Sequence, residues 1–158
     1  MLKHELQERG VNALGPERTS FKMLFGLVTR QLPWRLLYTP PIPGTALEIG
    51  FIEYDPGVQE KFKSYAKPNS ESNGIIGIER ADVAIPHLGN SLALLKSIFP
   101  QLNQQEETQL VRLGAHTLCF SESVTDDLHV LLHAATTNAA WSASRFQIEN
   151  VEVTVKEE

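Results

Sequence analysis

Thr19-Ser20-Phe21-Lys22-Met23-Leu24-Phe25-Gly26-Leu27-Val28-Thr29-Arg30-Gln31-Leu32-Pro33 is the stretch on which the fold reading turns. Phe21, Leu24, Phe25, Val28 and Leu32 recur at i, i+3, i+4, i+7 and i+11, the spacing of one face of an α-helix. Thr19 and Ser20 are the residue types that cap a helix start, and Pro33 ends the pattern. Upstream, Leu2 and Leu6 lie one turn apart, so 2–14 reads as a short helix closed by Gly15-Pro16. Downstream, Thr39-Pro40-Pro41-Ile42-Pro43-Gly44 excludes helix and central strand and reads as an extended connector.

Beyond the connector the period changes. Leu47, Ile49 and Phe51 alternate with Glu48 and Gly50, a strand pattern. Asp55-Pro56-Gly57 is a turn, 58–66 fits a helix without requiring one, and 67–74 is a polar loop ending in Asn-Gly. Ile75 to Ile85 reads as a strand buried on both faces for part of its length. Asn90 is placed to cap a helix with Leu92, Leu95 and Phe99 on its stripe, stopped by Pro100. Asn103 with Glu106 suggests a capping box for a further helix through Leu113. Thr117 to Phe120 is a short apolar run, and 126–144 is either helix or strand plus loop. Val151, Val153 and Val155 alternate with Glu152, Thr154 and Lys156, which reads as a C-terminal edge strand with one face on a core.

The order helices, strands, helices, strand predicts an α+β fold. We expect one domain over 1–158, with a mixed or antiparallel sheet and helices packed mainly on one face. Residues 1–44 would form an N-terminal helical arm and Pro-rich connector. At 158 residues the chain is long enough to bury a core without a disulfide or metal.

Charge narrows the function classes. The net charge is −5, which argues against duplex nucleic acid as a partner. The distribution is uneven: 1–67 holds nine basic and seven acidic residues, whereas 68–158 holds five and twelve. Such asymmetry suits either chance with an acidic end, where Glu152, Glu157 and Glu158 sit, or a basic segment that contacts an acidic surface, including the acidic half of a neighbouring copy. The single cysteine, Cys119, excludes an intrachain disulfide and fits a reducing compartment. The N-terminus has no apolar signal core, and no run approaches the ~20 apolar residues of a membrane span. The expected location is therefore the cytoplasm, or a particle assembled there, without a signal peptide or membrane span.

Two residue sets could carry function. Phe21, Phe25, Arg30, Trp34, Arg35 and Tyr38 mix aromatics with cations, the composition of interface hot spots. A core helix, a membrane-surface helix and a single-strand nucleic-acid platform share that appearance. The second set is His116, Cys119, His129 and His133, spaced H-x2-C-x9-H-x3-H, residue types that ligate zinc in tetrahedral sites. Against it, the familiar finger spacing is absent, and two core histidines with a buried thiol explain the residues equally well. Glu106-Glu107 and Asp126-Asp127 each sit at an expected helix start, where the helix dipole accounts for them. Neither a G-x-S-x-G elbow nor a phosphate-binding glycine loop occurs.

These observations favour a non-enzymatic structural or assembly protein acting through protein–protein contacts. It would be a subunit of a homo-oligomer or larger particle, such as a phage or injection-machine component, with no cofactor. The alternatives are a small metal- or ligand-binding protein or enzyme using His116, Cys119, His129 and His133, or an immunity or regulatory protein that occludes a partner surface.

Overall fold

Strands account for most of the regular structure, in an α+β arrangement with mixed sheet pairing. The computed structural model describes residues 2–23, 25, 27–58, 60, 61, 75–105 and 107–157, except for the side chains of Thr19 and Phe21. The polar loop expected over 67–74 lies outside that set, as do Leu24, Glu106 and most of 58–66. Two compact units result, Met1–Ile42 with Ala46–Lys67, and Pro43–Thr45 with Pro68–Glu158.

The first unit opens with α1 (Leu2–Glu8), which buries Leu6 but stops short of the helix expected over 2–14, because Gly10 at φ 79° ends it. The helix expected over 19–32 is instead a β-hairpin. β1 (Leu14–Met23) and β2 (Val28–Tyr38) pair antiparallel, with Phe21 opposite Arg30, and β3 (Gly50–Tyr54) adds to the far side of β2. The physical reason lies in what the periodicity assumes. A helical stripe marks a core face only if that face is buried, and here Met23, Phe25, Leu27 and Val28 are exposed at the hairpin tip. The aromatic and β-branched residues Val28, Thr29, Trp34 and Tyr38 favour the extended backbone. Phe25 adopts a left-handed backbone, φ 54°, which turns the chain.

Gly15 is the tightest point of this unit. Its φ is +97°, and a Cβ there would lie 2.6 Å from the Leu36 carbonyl oxygen, so only glycine fits the β1–β2 bulge. The Pro-rich connector has no regular helix or strand, but it is not a free arm. Thr39 exchanges backbone and hydroxyl hydrogen bonds with Ile49, the Ile42 amide donates to Leu47, and both Thr39 and Ile42 are fully buried.

The second unit is a seven-stranded sheet. β4 (Ile75–Ile85) lies at its centre, and β5 (Asn103–Gln105), β6 (Thr108–Leu113) and β7 (His116–Glu122) extend it to one side. β8 (His129–Thr136), β10 (Val151–Glu157) and β9 (Arg145–Ile148) extend it to the other. β4 pairs parallel with β7 and antiparallel with β8, and β8 pairs parallel with β10. Mixed pairing is thus the outcome. Two expectations change. Residues 103–113 form the β5–β6 hairpin rather than a helix, because Leu110 and Val111 pair onto β7 and bury Val111. The C-terminal strand is not an edge: β9 covers it, since Arg145–Ile148 reverses onto Val151–Thr154. Segment 126–144 resolves as β8 followed by a short 3-10 turn, Ala139–Trp141.

The helix expected after Pro86 is α2 (Leu88–Ile98), which buries Leu88, Ser91, Leu95 and Ile98 along one face. Its cap differs from expectation. His87 is the N-cap in a left-handed conformation, and the Glu122 carboxylate from the end of β7 accepts the Leu88 amide at 2.8 Å. A carboxylate at a helix start also complements the helix dipole. Phe99 and Phe120 pack with ring centres 6.1 Å apart. Phe120, Ile85, Leu95 and Val111 are essentially inaccessible, and each contributes roughly 1.5–3 kcal/mol of burial.

Candidate functional site

The interaction residues read from the sequence all fall in the first unit, on its hairpin or just behind it. Phe25 is fully exposed and Leu27 nearly so at the tip; Arg30, Arg35 and Tyr38 are exposed along β2. Trp34 is half-buried and meets Tyr54 of β3 edge-on, with centroids 6.2 Å apart. The Phe21 side chain lies outside the described residues. Arg18 holds Asp55 through two hydrogen bonds of 2.9 and 2.7 Å, and the Asp55 amide donates to the Pro33 carbonyl, which ties β1 and β2 to the chain after β3. The result is an apolar tip on a cation-bearing ribbon. The division between the units matches the charge asymmetry: the first unit carries the positive surplus and the second the negative one.

The second unit presents a different constellation on its sheet. The strand registers place Thr117, Arg80, His133, Thr154 and Arg145 in one row across β7, β4, β8, β10 and β9. Cys119 and Asp82 sit one step along on the same face, because side chains two apart on a strand point the same way. Asp82 Oδ2 lies 2.7 Å from His133 Nε2, and its Oδ1 accepts from Arg80 Nε at 2.6 Å. The other ring nitrogen, His133 Nδ1, is 3.2 Å from Thr154 Oγ1, which is 3.5 Å from the Leu132 carbonyl. His133 and Thr154 line a groove of about 650 Å3 with Ser144, Arg145, Glu152 and Lys156.

The electrostatics follow from those contacts. Burial pushes the Asp82 carboxyl up, but hydrogen bonds and charge from Arg80 and His133 outweigh it and hold the carboxyl below its ordinary value. The same hydrogen bond raises Arg80. Burial pushes the Cys119 thiol up, which disfavours the nucleophilic thiolate.

The four residues of the zinc-like pattern are not brought together. His116 points to the opposite face of β7 from Cys119 by parity, and its Nδ1 contacts the Ile78 carbonyl at 2.7 Å. His129 Nδ1 contacts the Asn150 carbonyl at 3.1 Å, while His133 is engaged by Asp82 and Thr154. Among the described residues no group of three or more His, Cys, Asp or Glu side chains could hold a metal ion. The acidic pairs also lose their helix explanation. Glu107 lies in the β5–β6 turn. Asp126 and Asp127 lie in a turn organised by Ser123, whose hydroxyl donates to the Asp127 carbonyl at 2.9 Å. Sequence reading missed Asp82, Arg80 and Thr154. The only local signal was the alternation Arg80-x-Asp82 inside a strand, and their partners come from β8 and β10.

Among the described residues no helix is long and apolar enough to cross a membrane. No protein-family model matches the chain, and no curated protein is similar to it. Among solved structures it is similar to a crystal structure of a hypothetical protein from Staphylococcus aureus, with a TM-score of 0.72 and 13% sequence identity. The match covers 99% of this chain and 61% of that one, so this chain spans about three-fifths of the length of its structural neighbour and shares its fold.

Proposed function

We propose that this chain is an assembly protein whose β1–β2 hairpin docks onto the acidic unit of a neighbouring copy. The observation that carries the reading is the hairpin tip. Phe25 and Leu27 stand in solvent on a ribbon that also bears Lys22, Arg30 and Arg35. Large exposed apolar side chains grouped on one projection cost solvation and mark an interaction surface. Aromatic and arginine side chains supply most hot-spot energy when such a surface is buried. The occupant is argued from charge: the hairpin belongs to the unit with the positive surplus, and the rest of the chain carries the negative one. A contact between two different surfaces of one chain is heterologous, so it closes into rings or runs on as filaments.

Size-exclusion chromatography with light scattering tests this. The wild type should elute as a multimer at low salt and shift toward monomer as salt rises, and Phe25→Glu should be monomeric throughout. A monomeric wild type at micromolar concentration and low salt would overturn the proposal.

A further inference from the structure

The Asp82–His133–Thr154 chain and the groove beside it form a second site, independent of the hairpin. Each link has a defined direction. In the neutral ring, Asp82 fixes the proton on Nε2, which leaves Nδ1 to accept from the Thr154 hydroxyl. In the protonated ring, Nδ1–H donates to Thr154 Oγ1, and that hydroxyl turns to the Leu132 carbonyl. Both states leave every proton with an acceptor, which is what a proton relay requires. A hydroxyl, a base and a carboxylate that orients the base make up the arrangement used for nucleophilic acyl transfer on unrelated folds. Arg145 lies directly opposite Thr154 on β9; its guanidinium is largely exposed and stands 3.9 Å from the Glu152 carboxylate, which lines the groove with Glu157. Lys156 follows Thr154 on the same face of β10.

We propose that Thr154 is a nucleophile activated by His133, and that the groove takes a small ester. His133 Nδ1 removes the hydroxyl proton as Oγ1 bonds to the ester carbonyl carbon, and the carbonyl electron pair moves onto its oxygen beside Arg145. Collapse re-forms the carbonyl and breaks the ester C–O bond, and the alkoxide leaves with the proton from Nδ1. Water then adds to the acyl-threonine, its proton passes to Nδ1, and Oγ1 departs reprotonated as the acid is released. Asp82 is a positioning residue that keeps Nδ1 facing Thr154.

The test uses 4-nitrophenyl acetate and mono-4-nitrophenyl succinate with the full chain. We expect nitrophenolate release above the buffer rate from both esters, and an acyl group on Thr154 by peptide mass spectrometry. Thr154→Val should remove both the activity and the label, while Thr154→Ser retains them. His133→Gln should lower kcat by about 100-fold, the scale of a general base. Asp82→Asn should lower kcat at least tenfold with little change in KM. Equal rates for the wild type and Thr154→Val, or a label on lysine or histidine with none on Thr154, would overturn the proposal. Circular dichroism of each variant separates loss of the site from loss of the fold.

Discussion

His133 Nε2 and Asp82 Oδ2 stand 2.7 Å apart although 51 residues separate them in the chain. β4 and β8 are antiparallel neighbours in which Asp82 faces Leu131 and Arg80 faces His133. Asp82 therefore reaches its histidine on the diagonal and its arginine two residues away on its own strand. One carboxylate joins an arginine and a histidine on an open sheet face.

This pairing predicts an acid-sensitive share of stability. The folded carboxyl is held below its ordinary value of about 4, so its contribution is complete above that pH and is lost as pH falls through the lower folded value. Asp82 and its partners are open enough to solvent that the share should be about 1 kcal/mol. Urea midpoints at pH 7 and pH 3 check it. Asp82→Asn should lower the pH 7 midpoint and reduce the drop between the two pH values. An unchanged drop would show that the pairing contributes nothing.

Gly15 should not tolerate a side chain. Gly15→Ala meets the Leu36 carbonyl at 2.6 Å and must also hold φ +97°, a combination that costs about 1–3 kcal/mol. Amide hydrogen exchange should show faster opening in β1 and β2. Protection there equal to the wild type would contradict the bulge geometry.

The two phenylalanines at positions 25 and 120 should behave oppositely. Phe120→Ala leaves a hole beside Phe99 and should cost about 3–5 kcal/mol. Phe25→Ser removes a side chain that touches only solvent in the single chain and should leave thermal stability of the monomer within about 0.5 kcal/mol. A large loss at position 25 under monomeric conditions would place the tip in a core.

Cys119 should be silent. It is buried, 3% exposed, and burial raises its thiol. A thiol reagent such as dithionitrobenzoate should label it only after denaturation. Rapid stoichiometric labelling of the native chain would contradict the packing between β6, β4 and β7.

Much of the second unit was legible locally. The strand at 75–85, the helix stopped by Pro100 and the alternating valines at 151–155 each carry their own period and punctuation. The hairpin of the first unit was not legible. Phe21 to Leu32 has a helical stripe by spacing, yet its tip residues face solvent, and periodicity cannot distinguish a face that will be buried from one left in solvent. The 103–113 segment failed for a related reason: a cap-like Asn103 fits the start of a hairpin strand as well as that of a helix. The candidate site was half legible. His133 was singled out, but for zinc, because its real neighbours Asp82 and Thr154 come from strands 51 and 21 residues away.

Assembly through the hairpin is open to native mass spectrometry of the wild type beside Phe25→Glu. The wild type should be a discrete multimer at low ionic strength that is lost at high ionic strength, and the variant a folded monomer. Identical oligomeric states for the two chains would contradict it.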